Sequence, residues 1–120
     1  MALMMTQVAV AQLPSVVDSV PKIAFNEWRE VQIGDVSKEY EVLFPSAVST
    51  EYPENQTVRV SAFLPADRVD PVPAVLILHY WGAFDLSAER RMAANLNRHG
   101  IAAVLMTMPY HLSRTPRGFA

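Results

Sequence analysis

The chain has 120 residues, a formal net charge of −2 and 51% hydrophobic residues, which suits one small folded domain. Without a basic stripe, nucleic acid is not an expected partner, and no apolar run approaches the roughly 18 residues of a membrane span. The absence of cysteine excludes a disulfide scaffold, a thiolate zinc site and a cysteine nucleophile.

Residues 1–27 form a lead-in segment without a sustained hydrophobic period. Within it, Ala9–Gln12 has the small-x-small pattern of a signal-peptidase site, but no Lys or Arg precedes it. Residues 1–11 are therefore either the end of an export signal, for a periplasmic or secreted protein, or an ordinary cytoplasmic amino terminus. The folded domain is predicted over residues 28–120.

Three segments of this domain favour β-strands, at residues 30–34, 40–45 and 57–65. The first and third alternate between apolar and polar residues, with Val31 and Ile33 on one face of the first. The second and third are closed by prolines. Short alternating strands separated by turn residues are typical of an antiparallel meander with one buried face.

A different pattern begins at residue 74, where AVLILH is a continuous apolar run, and IAAVLMTMP at residues 101–109 is another. Strands buried on both faces, typical of a parallel sheet covered by helices, have this composition. We therefore predict an α/β fold: a mixed sheet with antiparallel amino-terminal strands followed by a parallel βαβ unit, parallel in its middle.

The helix of this unit is predicted between the two apolar strands. Asp85 or Ser87 can cap its amino terminus, and Gly100 suits the position after its end. An apolar stripe faces the sheet, and polar residues face solvent. The predicted stripe is Ala88, Met92, Ala93 and Leu96, with Met92 as core filler; the predicted solvent residues are Glu89, Arg90, Asn97 and Arg98.

The segment His79–Asp85 (HYWGAFD) follows the first apolar strand and precedes the helix. In open α/β sheets, ligands bind beyond the carboxyl ends of the parallel strands. The single Gly82 cannot supply the Gly-rich loop that cradles a phosphate. Backbone N–H groups at such a corner can instead point at the oxyanion that develops during acyl transfer.

These segments together resemble the amino-terminal part of an α/β-hydrolase of the esterase or dienelactone-hydrolase kind. The resemblance rests on the strand PAVLILH, the corner HYWG, Asp85, the helix SAERRMAANLNRHG and the strand IAAVLMTMPYH. In that family a His-Gly-x-Gly segment supplies one oxyanion-hole amide. The resemblance assigns this amide to Trp81, with Tyr80 as the alternative, because Tyr80 stands where the family has glycine.

The resemblance implies a small-molecule carboxylic ester as substrate, with no cofactor and no metal. His79 is expected to shape the loop rather than transfer protons. Phe84 and His111 are candidates for substrate contact on the ligand side of the sheet. The aromatics Tyr80, Trp81 and Phe84 either line an acyl pocket or cover the end of the sheet, and both interpretations remain open.

The family's nucleophile elbow, Gly-x-Ser-x-Gly, does not occur in these residues: neither Ser87 nor Ser113 is flanked by glycines. The resemblance therefore implies a fragment whose carboxy-terminal half, with the catalytic triad, is missing. Alone, the chain is expected to be inactive and to associate through an unpaired apolar strand edge. The alternative is a non-catalytic α/β binding or structural module.

Overall fold

A computed structural model describes residues 27–69 and 71–119. The proposed export signal at residues 1–11, and the lead-in as far as residue 26, lie outside the described residues. The described chain forms one five-stranded sheet in the order β1-β2-β3-β5-β4. The elements are β1 (Glu27–Ile33), β2 (Ser37–Pro45), β3 (Thr57–Pro65), β4 (Ala74–Leu78), α1 (Ser87–Arg98) and β5 (Ala102–Met106).

The predicted mixed sheet is confirmed. Strands β1, β2 and β3 form an antiparallel meander, and the closing prolines Pro45 and Pro65 end β2 and β3. Strand β5 is antiparallel to β3 and parallel to β4. The parallel pair was expected in the middle of the sheet, but among the described strands β4 is the edge. This arrangement brings the carboxyl ends of β4 and β5 side by side.

Helix α1 covers part of one sheet face. The core on this side consists of Phe63, Ile77, Ala93, Ala103 and Leu105, with Leu86 and Leu96 packed against it. The helix is anchored by more than apolar contact, because the buried Asn97 amide donates to the carbonyls of Phe63 (3.1 Å) and Ile101 (2.9 Å). After the helix, Gly100 has a φ of +73° and ends it as predicted.

The predicted division of α1 into apolar and solvent residues is partly wrong. Ala93 and Leu96 face the core as expected, but Ala88 and Met92 are exposed. Asn97 and Glu89 are buried instead of solvent-facing. The physical reason for Asn97 is its pair of carbonyl acceptors, which make a buried amide favourable at that position.

The rest of the same sheet face is polar rather than apolar. The carboxylate of Glu41 on β2 lies between the guanidinium groups of Arg29 on β1 and Arg59 on β3. Next to it, Glu39 binds Arg90 of α1 at 2.8 Å. The Glu41 pairs therefore bridge β1, β2 and β3, and the Glu39 pair ties β2 to the helix.

The opposite sheet face is apolar. Val42, Val58, Val60 and Ala62 form its core, with Tyr40, Phe44, Val104 and Met106 packed around them. An open groove of about 270 Å³ runs along this face and is lined only by apolar residues, including Trp28 and Leu76.

The expectation that β4 is buried on both faces is wrong in the described structure. Of its five residues only Ile77 is buried, because β5 is the sole strand paired with β4 within residues 27–69 and 71–119. Strand β5 has neighbours on both sides, and buried residues lie on both of its faces. No helix in the described part of the chain is long and apolar enough to span a bilayer.

Candidate functional site at the carboxyl ends of β4 and β5

His79 joins the two parallel strand ends. Its side chain is only 2% exposed. The backbone N–H of Met108, just beyond β5, donates to its Nε2 atom at 3.2 Å. Its Nδ1 atom lies 2.9 Å from the carbonyl oxygen of Tyr80. Since Nε2 is an acceptor, Nδ1 carries the proton and donates to Tyr80. Both ring nitrogens are therefore occupied by backbone groups that fix the corner.

The corner itself is a tight turn after His79. The N–H of Ala83 donates to the carbonyl of Tyr80 at 3.1 Å, which closes the turn around Trp81 and Gly82. The N–H of Trp81 donates no hydrogen bond to any group in residues 27–69 and 71–119. The N–H groups of Tyr80 and Gly82 likewise donate to no group in the described part of the chain, so the turn leaves consecutive amides without a protein acceptor there.

The aromatic side chains of this corner point outward. Trp81 is 84% exposed and Phe84 is 94% exposed, and Tyr80 is exposed as well. The edge of the Trp81 indole contacts one other ring, the imidazole of His111, at 6.5 Å between centroids. The corner therefore brings Trp81 and His111 together, whereas Phe84 stands apart from them.

His111 lies on the segment that follows β5, directly opposite the corner. Its imidazole is 5.2 Å from that of His79, centroid to centroid. Its Nδ1 atom is 2.8 Å from the carbonyl of Pro109 and donates to it, which leaves Nε2 as the acceptor of the neutral ring. His79, Trp81 and His111 thus form one ring cluster at the ligand edge of the sheet.

The residues on either side of His111 have an unusual backbone. Tyr110 has a φ of 63° and Leu112 a φ of 49°, in the left-handed region that bulky residues rarely adopt. Each such residue costs on the order of 1–3 kcal/mol and persists only where the surroundings hold it. The position of His111 is therefore maintained by contacts elsewhere in the fold.

Two residues that the sequence analysis did not single out supply these contacts. Asn55 ends a short 3₁₀ turn (Pro53–Asn55), and Arg114 ends a second one (Leu112–Arg114). Both are almost completely buried. Neither belongs to a recognisable motif, and an arginine in the polar segment HLSRTPRG gives no sequence signal of burial.

Asp85 lies between the corner and α1 and bonds the start of the helix. Its Oδ1 atom accepts the backbone N–H of Ser87 at 2.9 Å and the Ser87 hydroxyl at 2.7 Å. The backbone bond, followed by the hydroxyl bond, lowers the pKa of this carboxyl below its ordinary value. The N-cap position itself is Leu86, which makes no side-chain cap bond, so the prediction of Asp85 or Ser87 at that position is wrong; Asp85, one residue earlier, still bonds the first residue of the helix.

The described residues do not assemble a nucleophile with its base. The Ser87 hydroxyl is directed to Asp85, and both nitrogens of His79 are engaged by backbone. Within residues 27–69 and 71–119, no cluster of three His, Asp or Glu side chains is arranged to bind a metal ion. Two larger cavities, of about 410 and 420 Å³, have linings that do not include the ring cluster.

None of the known protein-family models matches this sequence, and none of the curated proteins matches it either. The candidate site therefore has to be interpreted from its own geometry.

Proposed function

We propose that this chain supplies the oxyanion-hole corner of a serine hydrolase acting on carboxylic esters by acyl transfer, in the manner of an α/β-hydrolase. One observation carries the proposal: the backbone N–H of Trp81 lies in a closed turn between a parallel strand and a helix, and it donates to no group in the described residues. In such a hydrolase this amide stabilises the negative charge on the carbonyl oxygen as the ester is attacked.

The bonding of His79 supports the same role. A hydrogen bond at each ring nitrogen ties the end of β4 to the segment after β5 and orients the turn between them. An oxyanion donor is effective only if it is held in place before charge develops, so that no reorganisation is required. His79 is a positioning residue in this proposal, because its ring nitrogens have no capacity left for substrate.

Gly82, the next residue of the turn, is not required there by backbone conformation or by space. Its φ is not in the left-handed region. A Cβ atom at this position would lie 3.4 Å from the edge of the Tyr80 ring, an ordinary contact distance. The proposal therefore depends on the Trp81 amide and not on the glycine beside it.

The direct test uses the product of the complete gene. The reading frame beyond codon 120 is expected to encode a strand followed by Gly-x-Ser-x-Gly, and the protein is expected to hydrolyse a p-nitrophenyl ester. A serine-directed phosphonate should abolish this turnover. A stop codon with no such elbow, or turnover that resists the phosphonate, would contradict the proposal.

In that protein the substitution Trp81→Pro removes the N–H, whereas Trp81→Phe keeps it and changes only the side chain. We expect Trp81→Pro to lower kcat by roughly 10²-fold, the usual loss for one oxyanion donor, and Trp81→Phe to have a milder effect. Circular dichroism establishes that both variants are folded. Equal turnover in Trp81→Pro and wild type would remove Trp81 from the site.

A non-catalytic binding or structural module is the second candidate, and one observation favours it. The apolar groove of about 270 Å³ lies on the sheet face opposite α1, away from polar side chains. If the reading frame ends without a nucleophile elbow, we expect binding to occur at this apolar face rather than at the corner. The sequencing test above distinguishes the two candidates.

A further inference from the structure

We propose that Asn55 and Arg114 are positioning residues, which hold the strained segment Thr107–Arg114 so that the His111 imidazole stays beside His79 and Trp81. The proposal concerns residues that neither the motif nor the corner itself identifies. The role of the site in catalysis rests on the proposed function. The placement of His111 does not, because it can be measured without any activity.

The side chain of Arg114 ties together both ends of this segment. It is 4% exposed. Its Nη1 atom donates to the carbonyl of Thr107 at 3.0 Å, at the start of the segment, and its Nη2 atom donates to the carbonyl of Asn55 at 3.2 Å. One planar guanidinium therefore holds three parts of the chain together: the end of β5, the last turn of the segment and the 3₁₀ turn before β3.

Asn55 holds the middle of the segment. Its side chain is 1% exposed, and its Oδ1 atom accepts the backbone N–H of Tyr110 at 3.0 Å. Tyr110 is the first of the two residues with positive φ, and it immediately precedes His111. The amide of Asn55 thus stabilises the backbone conformation from which the His111 side chain is directed toward the corner.

The same two side chains are poorly arranged for stability alone. The Nε atom of Arg114 and the Nδ2 atom of Asn55 are buried without a hydrogen-bond partner. No carboxylate of the described residues pairs with Arg114, and its burial lowers the pKa of the guanidinium. Buried donors without acceptors oppose folding, and apolar residues of similar volume would avoid that cost. The geometry that these two side chains impose on Tyr110, His111 and Leu112 accounts for their presence.

The experiment follows the ring protons of His111 by NMR in the 120-residue chain. In wild type we expect nuclear Overhauser contacts from His111 to the rings of His79 and Trp81. Arg114→Lys keeps the charge but cannot donate from two fixed nitrogens to the two carbonyls. Asn55→Leu removes the oxygen that accepts the Tyr110 N–H. Both variants are expected to lose the His111 contacts while cross-strand contacts within the sheet remain.

Two matched variants separate positioning from a general loss of stability. Asn55→Asp keeps the Oδ1 acceptor and should preserve the His111 contacts. Arg117→Ala breaks the exposed ion pair of 3.5 Å to Glu54 in the Pro53–Asn55 turn, and it should preserve the His111 contacts as well. Unchanged His111 contacts in Arg114→Lys and Asn55→Leu would overturn the proposal, and so would their loss in Asn55→Asp.

If the Arg114 and Asn55 variants do not fold, a measurement on the wild-type chain decides the question. The Tyr110 amide, bonded to Asn55, should exchange with deuterium at least about tenfold more slowly than the same amide in an unstructured peptide. Exchange at the unstructured rate would overturn the proposal. Because turnover is measured in none of these steps, the outcome is independent of whether the hydrolase function holds.

Discussion

At the scale of single residues, His79 is a buried side chain whose two ring nitrogens are both hydrogen-bonded to backbone groups. Replacing it by leucine keeps the volume approximately but leaves the Met108 N–H and the Tyr80 carbonyl without their partner. We expect His79→Leu to lower the free energy of unfolding by about 2 kcal/mol, since each buried unpaired group costs roughly 1–3 kcal/mol. Urea denaturation provides the measurement.

The control is His99→Leu, since His99 is exposed at the end of α1 and its imidazole Nδ1 is hydrogen-bonded to the carbonyl of Asn95, one turn earlier in the same helix. It should change the unfolding free energy by less than about 0.5 kcal/mol, as surface substitutions usually do. If the two variants were equally stable, His79 would have no structural role in joining the strand ends.

The residues of the candidate site were only partly predictable. The change from the apolar run AVLIL to HYWG before a helical pattern placed His79 and Trp81 at the carboxyl end of β4, where the structure has them. The left-handed backbone at Tyr110 and Leu112 was not foreseeable, since large side chains normally avoid it. Asn55 and Arg114 come from distant segments, so only the folded chain shows that they meet.

At the scale of secondary-structure elements, the Asp85 bonds at the start of α1 predict a response to acid. The pKa of Asp85 is lowered in the folded state by its bonds to Ser87, so the carboxylate contributes stability above the unfolded pKa of about 3.9. That contribution is lost as the pH falls through the lower, folded pKa. Asp85→Ala should therefore be less stable than wild type at pH 7, and the difference should vanish in acid.

Thermal melts of wild type and Asp85→Ala across this pH range measure the effect. Asp67→Ala removes a carboxylate from an exposed turn and serves as the control. A stability difference for Asp85→Ala that persists unchanged into acid would show that the ionised carboxylate does not stabilise the start of α1.

The strands were predictable because segments that alternate between apolar and polar residues and end in proline are rarely helices. Three details of these elements were not predictable. Strand β1 carries a register shift between Glu30 and Gln32, and both Val31 and Ile33, expected on a buried face, are exposed on this edge strand. The apolar run of β4 predicted a strand correctly, yet it did not determine how many neighbours cover that strand. The burial of Asn97 in α1 depends on the carbonyl of Phe63 in β3 and on that of Ile101, just before β5.

At the scale of the whole molecule, the exposed edge of β4 should drive association. Val75, Leu76 and Leu78 are exposed there without a charged residue among them, and such edges pair with other strands. We expect the 120-residue chain to self-associate, and Leu76→Lys to weaken that association about tenfold or more, because burying a leucine contributes roughly 1.5–3 kcal/mol. Sedimentation velocity measures the change.

Val69→Lys places the same charge on a residue that is exposed outside the sheet, and it should leave association unchanged. A wild-type chain that sediments as a monomer at all concentrations would contradict the prediction. Equal weakening by both substitutions would show that net charge, rather than the β4 edge, controls association.

The strand order also dictates a sequence of events during synthesis. Among the described strands, β5 is made after β4 but lies between β3 and β4, so β4 leaves the ribosome before the strand that pairs with it in this sheet. It must wait for α1 and β5, an interval on the order of seconds at about 5–20 residues per second. During that time AVLIL is an unpaired apolar segment on a nascent chain, available to chaperones or to neighbouring nascent chains. Strand β5 then pairs with β3 and β4 together, which couples the joining of these described strands to the formation of the corner at the carboxyl ends of β4 and β5.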